Sequence, residues 1–381
     1  MEALLRDGSA SRAGLSRTTG LSKQTMSEVI RVLTERGWVR ESGMISGGVG
    51  RSAVRYEIDS RAGFVLGIDL GASTIRGVMA DITGAIVTET EIAADPRGGA
   101  HLPAQIARLK ADILKAAEMS SDKLLLATVA IPGVMNQQSG HLDLAPNLAG
   151  IGDMDVATTL RQALDCKVIF ENDVNAAALG EYWETGEYVE GHFAFVSLGT
   201  GVGLGILVDG KLLRGASLAA GEIGYLPLGA DPFMPLSLER GALECAIGAA
   251  GISARYQMAG GTSVLSVREI FDRYRAGERA AIATIEETAR LAALVVVTVT
   301  AVIDPDKVVF GGNIGARPEL VEIISRILPT ATRRPVKVEA SRLGARATVV
   351  GAAAIALGEL HNSLFSPREL PNKLDLPTLR R

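Results

Sequence analysis

Residues 64–71 read Phe64-Val-Leu-Gly-Ile-Asp-Leu-Gly71. The run is short, apolar and closed by a carboxylate and a glycine, so it reads as a buried strand. A second strand follows at Ile75–Asp81, then the turn Ile82-Thr83-Gly84 and a third strand at Ala85–Ile92. About 130 residues on, Phe193-Ala-Phe-Val-Ser-Leu-Gly-Thr-Gly201 repeats the pattern and leads into Val202–Val208, the turn Asp209-Gly210 and Lys211–Arg214. Each copy is strand, glycine turn, strand, tight hairpin, strand. A duplicated meander with α/β segments after each copy implies two similar α/β lobes facing a cleft.

The turns carry chemistry. Asp69-Leu-Gly71-Ala-Ser73 offers a carboxylate suited to a hydrated Mg²⁺, and small residues that let backbone N–H groups approach a phosphate. Gly199-Thr200-Gly201-Val-Gly203 repeats the offer from the second copy. Neither is a P-loop, because no Gly-Lys-Ser/Thr stands in frame. One such turn is ordinary strand punctuation; two in a duplicated frame point to a ligand. Between them Phe170-Glu-Asn172-Asp173 closes a strand, Cys166–Phe170, and opens an alanine-rich helix. Asp173 at the carboxyl end of a strand suits a general base toward a sugar hydroxyl. It suits a helix N-cap equally. Upstream, Ala145-Pro-Asn147-Leu places another amide on a loop.

The first 60 residues differ in texture. Helical patterns occupy Glu2–Arg6, Ser11–Thr18 with Leu15 as its apolar anchor, and Lys23–Arg36, capped by Ser22 and carrying Met26, Val29, Ile30 and Leu33 at helical spacing. The turn Thr19-Gly20-Leu21 joins the second to the third as a helix-turn-helix. Ser22, Lys23, Gln24, Thr25 and Ser27 form the polar start that such a helix offers to base edges and phosphates. Short strands at Trp38–Glu41 and Val54–Ile58 flank a glycine-rich tip, and Arg51 on that tip suits a minor groove or a phosphate. This is a winged helix, which binds DNA or docks a partner.

Composition is compatible with both parts. The 381 residues are 47% hydrophobic and 22% charged, which fits large buried cores in two or three domains. Residues 1–60 hold nine Lys/Arg against seven Asp/Glu, while the whole chain carries −4, so a mildly basic head precedes an acidic body. Cys166 and Cys245 are too few for a disulfide framework, and no signal peptide opens the chain, which favours the cytoplasm. The longest apolar run, Leu291–Ile303, falls short of a membrane span and reads as a buried helix.

One further stretch, Gly221-Glu222-Ile-Gly-Tyr225 through Ala242-Leu-Glu244, sets two carboxylates at either end of a segment of glycine, proline and apolar residues. Taken together, these motifs resemble the ROK family of sugar kinases and sugar-responsive repressors, over nearly the whole chain. The resemblance implies an actin/hexokinase-like (RNase H-like) fold. Asn147, Asn172, Asp173, Glu222, Tyr225 and Glu244 would hold the sugar. Asp69, Gly71, Ser73, Gly199, Thr200, Gly201, Gly203, Gly311 and Gly312 would hold nucleotide phosphates and the adenosine side. Asp173 would be the catalytic base if the protein is a kinase, which would then need ATP and Mg²⁺; the regulator requires no cofactor.

The departures are specific. The family's Gly-Glu-Ile-Gly-His becomes Gly-Glu-Ile-Gly-Tyr225, and the three cysteines of its zinc signature become Pro235, Ser237 and Ala242. Structural zinc is held by a tetrahedron of nitrogen and sulfur ligands, so no zinc is expected here. Ala72 and Thr74 stand where many of the kinases carry glycine and lysine. The organisation expected is a winged helix-turn-helix at 1–60, a first lobe at 63–172 onto which a helix at about 345–361 packs back, and a second lobe at 173–344. The expected function is a sugar-responsive repressor, binding operator DNA as a homodimer or higher homo-oligomer, with a sugar or sugar phosphate as effector and no membrane association. An ATP-dependent sugar kinase carrying a winged helix is the alternative.

Overall fold

The structure, a computed structural model, describes residues 1–45, 53–135, 142–143, 150, 154–185, 191–261 and 263–365. Arg51 and Asn147 lie outside the described residues. Two compact units divide the chain. The first holds Met1–Ile131, Met135–Phe170 and the chain from Ala352 onward; the second holds Pro132–Val134 and Glu171–Gly351.

The first unit begins with α1 (Glu2–Asp7), β1 (Ala10–Ser11), α2 (Arg12–Thr19), α3 (Lys23–Glu35), β2 (Val39–Ile45) and β3 (Ala53–Ile58), with the strands in the order β1-β3-β2. Ser11 starts α2 by accepting the Gly14 amide at 3.1 Å, and Gly20, at φ 72°, stops it. Ser22 Oγ starts α3 by accepting the Thr25 amide at 3.1 Å. Leu4, Leu15, Met26, Ile30, Val39, Tyr56 and Ile58 form the small core. Val29, expected on the buried face of α3, is 37% exposed, because Met26 and Ile30 already fill the contact and Val29 lies on its edge.

The five-stranded sheet of this unit is built from β4 (Phe64–Leu70), β5 (Thr74–Asp81), β6 (Ile86–Ala93), β7 (Leu124–Ile131) and, after the short pair β8 (Val134–Met135) and β9 (Leu142–Asp143), β10 (Lys167–Asn172). Its order is β10-β7-β4-β5-β6, with β4, β5 and β6 antiparallel and β7 parallel to β4. Asp81 closes the hairpin by accepting from Thr83 N at 2.8 Å and Ala85 N at 3.1 Å. Helices α4 (Leu102–Ala116) and α5 (Val156–Leu164) bring Ile106, Leu109, Ile113, Leu160 and Leu164 into one core with Leu66, Ile68, Leu70, Ile75 and Met79.

The second unit repeats the plan. α6 (Asp173–Thr185) precedes β11 (His192–Leu198), β12 (Val202–Val208) and β13 (Lys211–Leu212). Then come α7 (Pro235–Arg240), α8 (Ala242–Ile247), α9 (Ala249–Met258), α10 (Val267–Arg275), α11 (Arg279–Ile303), β14 (Lys307–Gly311), α12 (Gly312–Gly315), α13 (Pro318–Ala331), β15 (Lys337–Ala340) and the start of α14 (Ala347–Phe365), the rest of which belongs to the first unit. The sheet order, β13-β12-β11-β14-β15, is that of the first sheet read from the other edge: meander, then a parallel strand beside the first. The run from Leu291 to Ile303 is the second half of α11; it is largely buried as far as Thr300, whereas Ala301 and Val302 at its end are exposed. No helix among the described residues is long and apolar enough to cross a membrane. Glu181 on α6, 2% exposed, accepts from Ser341 Oγ, Arg342 N and Leu343 N and so fixes the connection between β15 and α14.

Candidate functional site

The acids of the second unit sit on three separate pieces of backbone. Asp173 opens α6 directly after β10. Asn172 is the cap of that helix: its Oδ1 accepts from Val174 N at 2.9 Å and Asn175 N at 3.1 Å, and its Nδ2 donates to Gly133 O at 3.1 Å. The cap thus falls chiefly to Asn172. Asp173 Oδ1 also accepts from Val174 N at 2.9 Å, while Oδ2 has no partner among the described residues. Burial pushes the Asp173 carboxyl above its ordinary value, against the Val174 hydrogen bond.

Glu222 follows a loop that starts and ends on β12. Leu213 N donates to Ile206 O at 2.9 Å, and Leu204 N donates to Gly221 O at 2.9 Å. The Glu222 carboxylate, half-buried, accepts no hydrogen bond among the described residues. Burial raises its pKa, and the charges of Asp173 and Glu244 raise it further. Glu244, on α8, accepts from Val202 N through Oε2 at 3.1 Å. Burial raises it too, although that amide and Arg240 pull it down. Among the described residues no group of three or more His, Cys, Asp and Glu could hold a metal ion. Glu222 is close enough to Asp173 and to Glu244 to feel both charges. Half-desolvated carboxylates short of donors suit a ligand that brings several hydroxyls.

The second glycine turn lies alongside. A Cβ on Gly201 would stand 2.8 Å from Glu244 Oε2, and one on Gly199 3.1 Å from Asn313 Oδ1. Gly199 O accepts the amide of Ala249, the first residue of α9, at 3.0 Å. The turn Gly199–Gly203, with Thr200 exposed at its tip, thus runs from the Glu244 side to the Gly311-Gly312 corner at the end of β14. Gly312, at φ 77°, passes so near Leu198 O that a side chain would collide with it.

In the stretch between Glu222 and Glu244, Tyr225 is 42% exposed and its hydroxyl donates to Glu239 O at 3.1 Å. Burial, then Glu222, Glu244 and Glu239, raise the Tyr225 pKa, so the phenol stays protonated and able to donate. Cys245 Sγ lies 3.7 Å from Leu236 O. Ser237 and Ala242 are buried.

In the first unit, the turn Gly71–Ser73 joins β4 to β5, so Asp69 faces Arg76 across the strand pair, and Arg76 faces Glu91 on β6. Arg76 Nη1 lies 3.6 Å from Asp69 Oδ2, and Arg76 Nε lies 3.3 Å from Glu91 Oε2.

A profile of the ROK family matches residues 65–359. The chain belongs to the ROK family. A xylose repressor of Caldicellulosiruptor bescii is 27% identical over 94% of both chains. A glucokinase of Halalkalibacterium halodurans is 28% identical over 65% of this chain and 80% of its own. The ROK hexokinase structure from Thermus thermophilus superposes with a TM-score of 0.68 at 25% identity, over 78% of this chain and 99% of that one. A ROK transcriptional regulator homologous to the Mlc protein of E. coli superposes with a TM-score of 0.72 at 21% identity, over 92% of each. The fold is the actin/hexokinase-like ROK fold, which is what the duplicated sheet order requires.

Two cofactors associated with ROK proteins can be tested against these residues. For zinc, the ligand positions carry a phenol, a proline, a hydroxyl and a methyl group, and the phenol already bonds a carbonyl; the donor set does not fit. For the Mg²⁺ of a nucleotide, a divalent ion at Asp69 would share the carboxylate with the Arg76 guanidinium, which is a poor fit. Sequence reasoning missed Arg76, although the three-residue turn sets the register that pairs 69 with 76. It also missed Glu171 and Arg214, described below, whose partnership over 43 positions leaves no local signal.

Proposed function

We propose that the chain is a sugar-responsive transcriptional regulator of carbohydrate genes, a repressor, acting in the cytoplasm as a homodimer or higher homo-oligomer. Residues 1–60 act as a winged helix-turn-helix on operator DNA, through Ser22, Lys23, Gln24, Thr25 and Ser27 at the start of α3 and through Arg51. The sugar is held by Asp173, Glu222 and Glu244, with Asn147, Asn172 and Tyr225 around it. The observation that carries this reading is the set of three half-buried carboxylates with acceptor capacity that the protein leaves unused. The xylose repressor similarity supports the regulator role because it spans 94% of the chain, more than the family match at 65–359. On α3, Lys23 and Gln24 are exposed, as DNA contact requires.

Sugar can alter DNA affinity only if it binds the free and DNA-bound states differently, and DNA must then alter sugar affinity by the same factor. The test is fluorescence anisotropy with DNA from upstream of neighbouring sugar genes, with and without D-xylose and D-glucose. Salt-dependent binding that shifts with one sugar supports the reading; no binding in any combination ends it.

The second reading is an ATP-dependent sugar kinase. It is favoured by Asp173, whose raised pKa at a strand's carboxyl end suits a general base, and by the glucokinase similarity. A coupled ADP-release assay over hexoses and N-acetylhexosamines separates the two. Turnover lost in Asp173→Asn supports the kinase.

A further inference from the structure

Glu171 and Arg214 belong to none of the groups assigned above. Glu171 is 8% exposed and stands two residues before Asp173. Its Oε1 accepts from Asn172 N at 3.1 Å and from Asn175 Nδ2 at 3.1 Å, and Asn175 is itself 2% exposed. Its Oε2 accepts from Arg214 Nε at 2.8 Å and Arg214 Nη2 at 2.6 Å. One oxygen therefore grips the β10–α6 junction that carries Asp173. The other grips Arg214.

Arg214 stands at one foot of the loop whose other foot is Glu222. Its carbonyl accepts from Ala220 N at 3.1 Å, closing the loop's base, and Gly221 is pinned to β12 through Leu204. Glu222 is thus tied to Arg214 through a short closed loop, and Arg214 is tied to the Asp173 junction through Glu171. These two walls carry like charges that oppose each other's ionisation. Two carboxylates that repel need a mechanical link if they are to stay at a spacing set for a ligand.

We infer that Arg214 is a positioning residue for the sugar: its ion pair with Glu171 holds Glu222 at working distance from Asp173. The inference rests on reading Asp173, Glu222 and Glu244 as the sugar site. It extends that site to a pair that does not touch the ligand. Two guanidinium nitrogens converge on the one oxygen Oε2, a contact that a single lysine ammonium in the same place reproduces only in part.

The test is calorimetric titration of the full chain with D-xylose and with D-glucose, at a temperature where every variant is folded by circular dichroism. Arg214→Ala is expected to weaken the sugar that the wild type binds by roughly tenfold, and Arg214→Lys by less. Glu171→Gln, which buries no unpaired charge, guards against misfolding of the alanine variant and is expected to weaken binding similarly. In a Glu222→Gln background the Arg214→Ala loss should shrink, because the group being positioned is gone; a merely structural role would leave the loss unchanged. Wild-type affinity in both Arg214→Ala and Glu171→Gln, with binding abolished by Asp173→Asn, overturns the inference and leaves the sugar site standing. No binding by the wild type, or wild-type binding by Asp173→Asn, overturns both.

Discussion

Arg76 lies directly across the β4–β5 pair from Asp69, with its guanidinium 3.6 Å from that carboxylate and 3.3 Å from Glu91 on the next strand. An acid–base–acid ladder thus crosses three strands beside the turn Gly71–Ser73, the turn expected to approach a nucleotide phosphate. Arg76→Ala is expected to strengthen binding of Mg²⁺ with a non-hydrolysable ATP analogue several-fold over the wild type, read by calorimetry. It should cost up to about 1 kcal/mol of stability, the range of a cross-strand ion pair. Equal nucleotide affinity in both proteins would show that Asp69 is available to a cation despite Arg76.

Glu222 links the site to pH. Its carboxyl is raised by burial first and by Asp173 and Glu244 next. An acid raised on folding binds its proton more tightly in the folded chain. The protein therefore loses stability as pH climbs from the ordinary carboxylate range through the raised value, and recovers it on acidification. Glu222→Gln should melt about 1–2 °C above the wild type at pH 7, a shift matching a fraction of 1 kcal/mol, with the gap closing near pH 4. The same variant should bind sugar more weakly. A variant no more stable than wild type at pH 7 would show that solvent screens these charges.

Charge would also set which effector the proposed site takes. Three carboxylates with raised pKa values favour an uncharged ring, and a phosphate group would add like charge among them. D-glucose 6-phosphate is expected to bind this site about tenfold more weakly than D-glucose or D-xylose at low salt, with the gap narrowing as salt rises. Tighter binding of the phosphorylated sugar would mean that a cation reaches the site.

Tyr225 gives a stability prediction. Removing its hydroxyl in Tyr225→Phe breaks the bond to Glu239 O and should cost about 1 kcal/mol in urea unfolding. Tyr225→His should not recruit zinc, because Pro235, Ser237 and Ala242 supply no ligand. Stoichiometric zinc in either purified protein, by elemental analysis, would contradict this account of the loop.

Much of the frame was legible because it rests on local signals. Strand length, the glycine turns and the 3.6-residue period placed β4, β11, α3 and the duplication, with ends that differ from the structure by a residue or two at Ile75, Ala85 and Arg36. β1 was not legible, since two residues carry no period. Val29 was misplaced because an apolar residue at the edge of a helical stripe has the same spacing as one at its centre. At Asn172-Asp173 either residue makes a good cap, and only the geometry assigns the role to Asn172. Glu171, Arg214 and the Glu181 clamp are long-range pairings between ordinary charged or polar residues, and they become visible only when the backbone brings them together.

The loop between Glu222 and Glu244 has one more implication. A knuckle organised by thiolates and zinc is coupled to the metal supply and to oxidants, since chelation or thiol oxidation dismantles it. Here a phenol on a carbonyl and buried Ser237 and Ala242 occupy those places. The fold of this loop is thereby expected not to depend on the zinc supply, and its oxidant-sensitive groups are the Cys245 thiol and the exposed Met234 thioether instead of zinc thiolates.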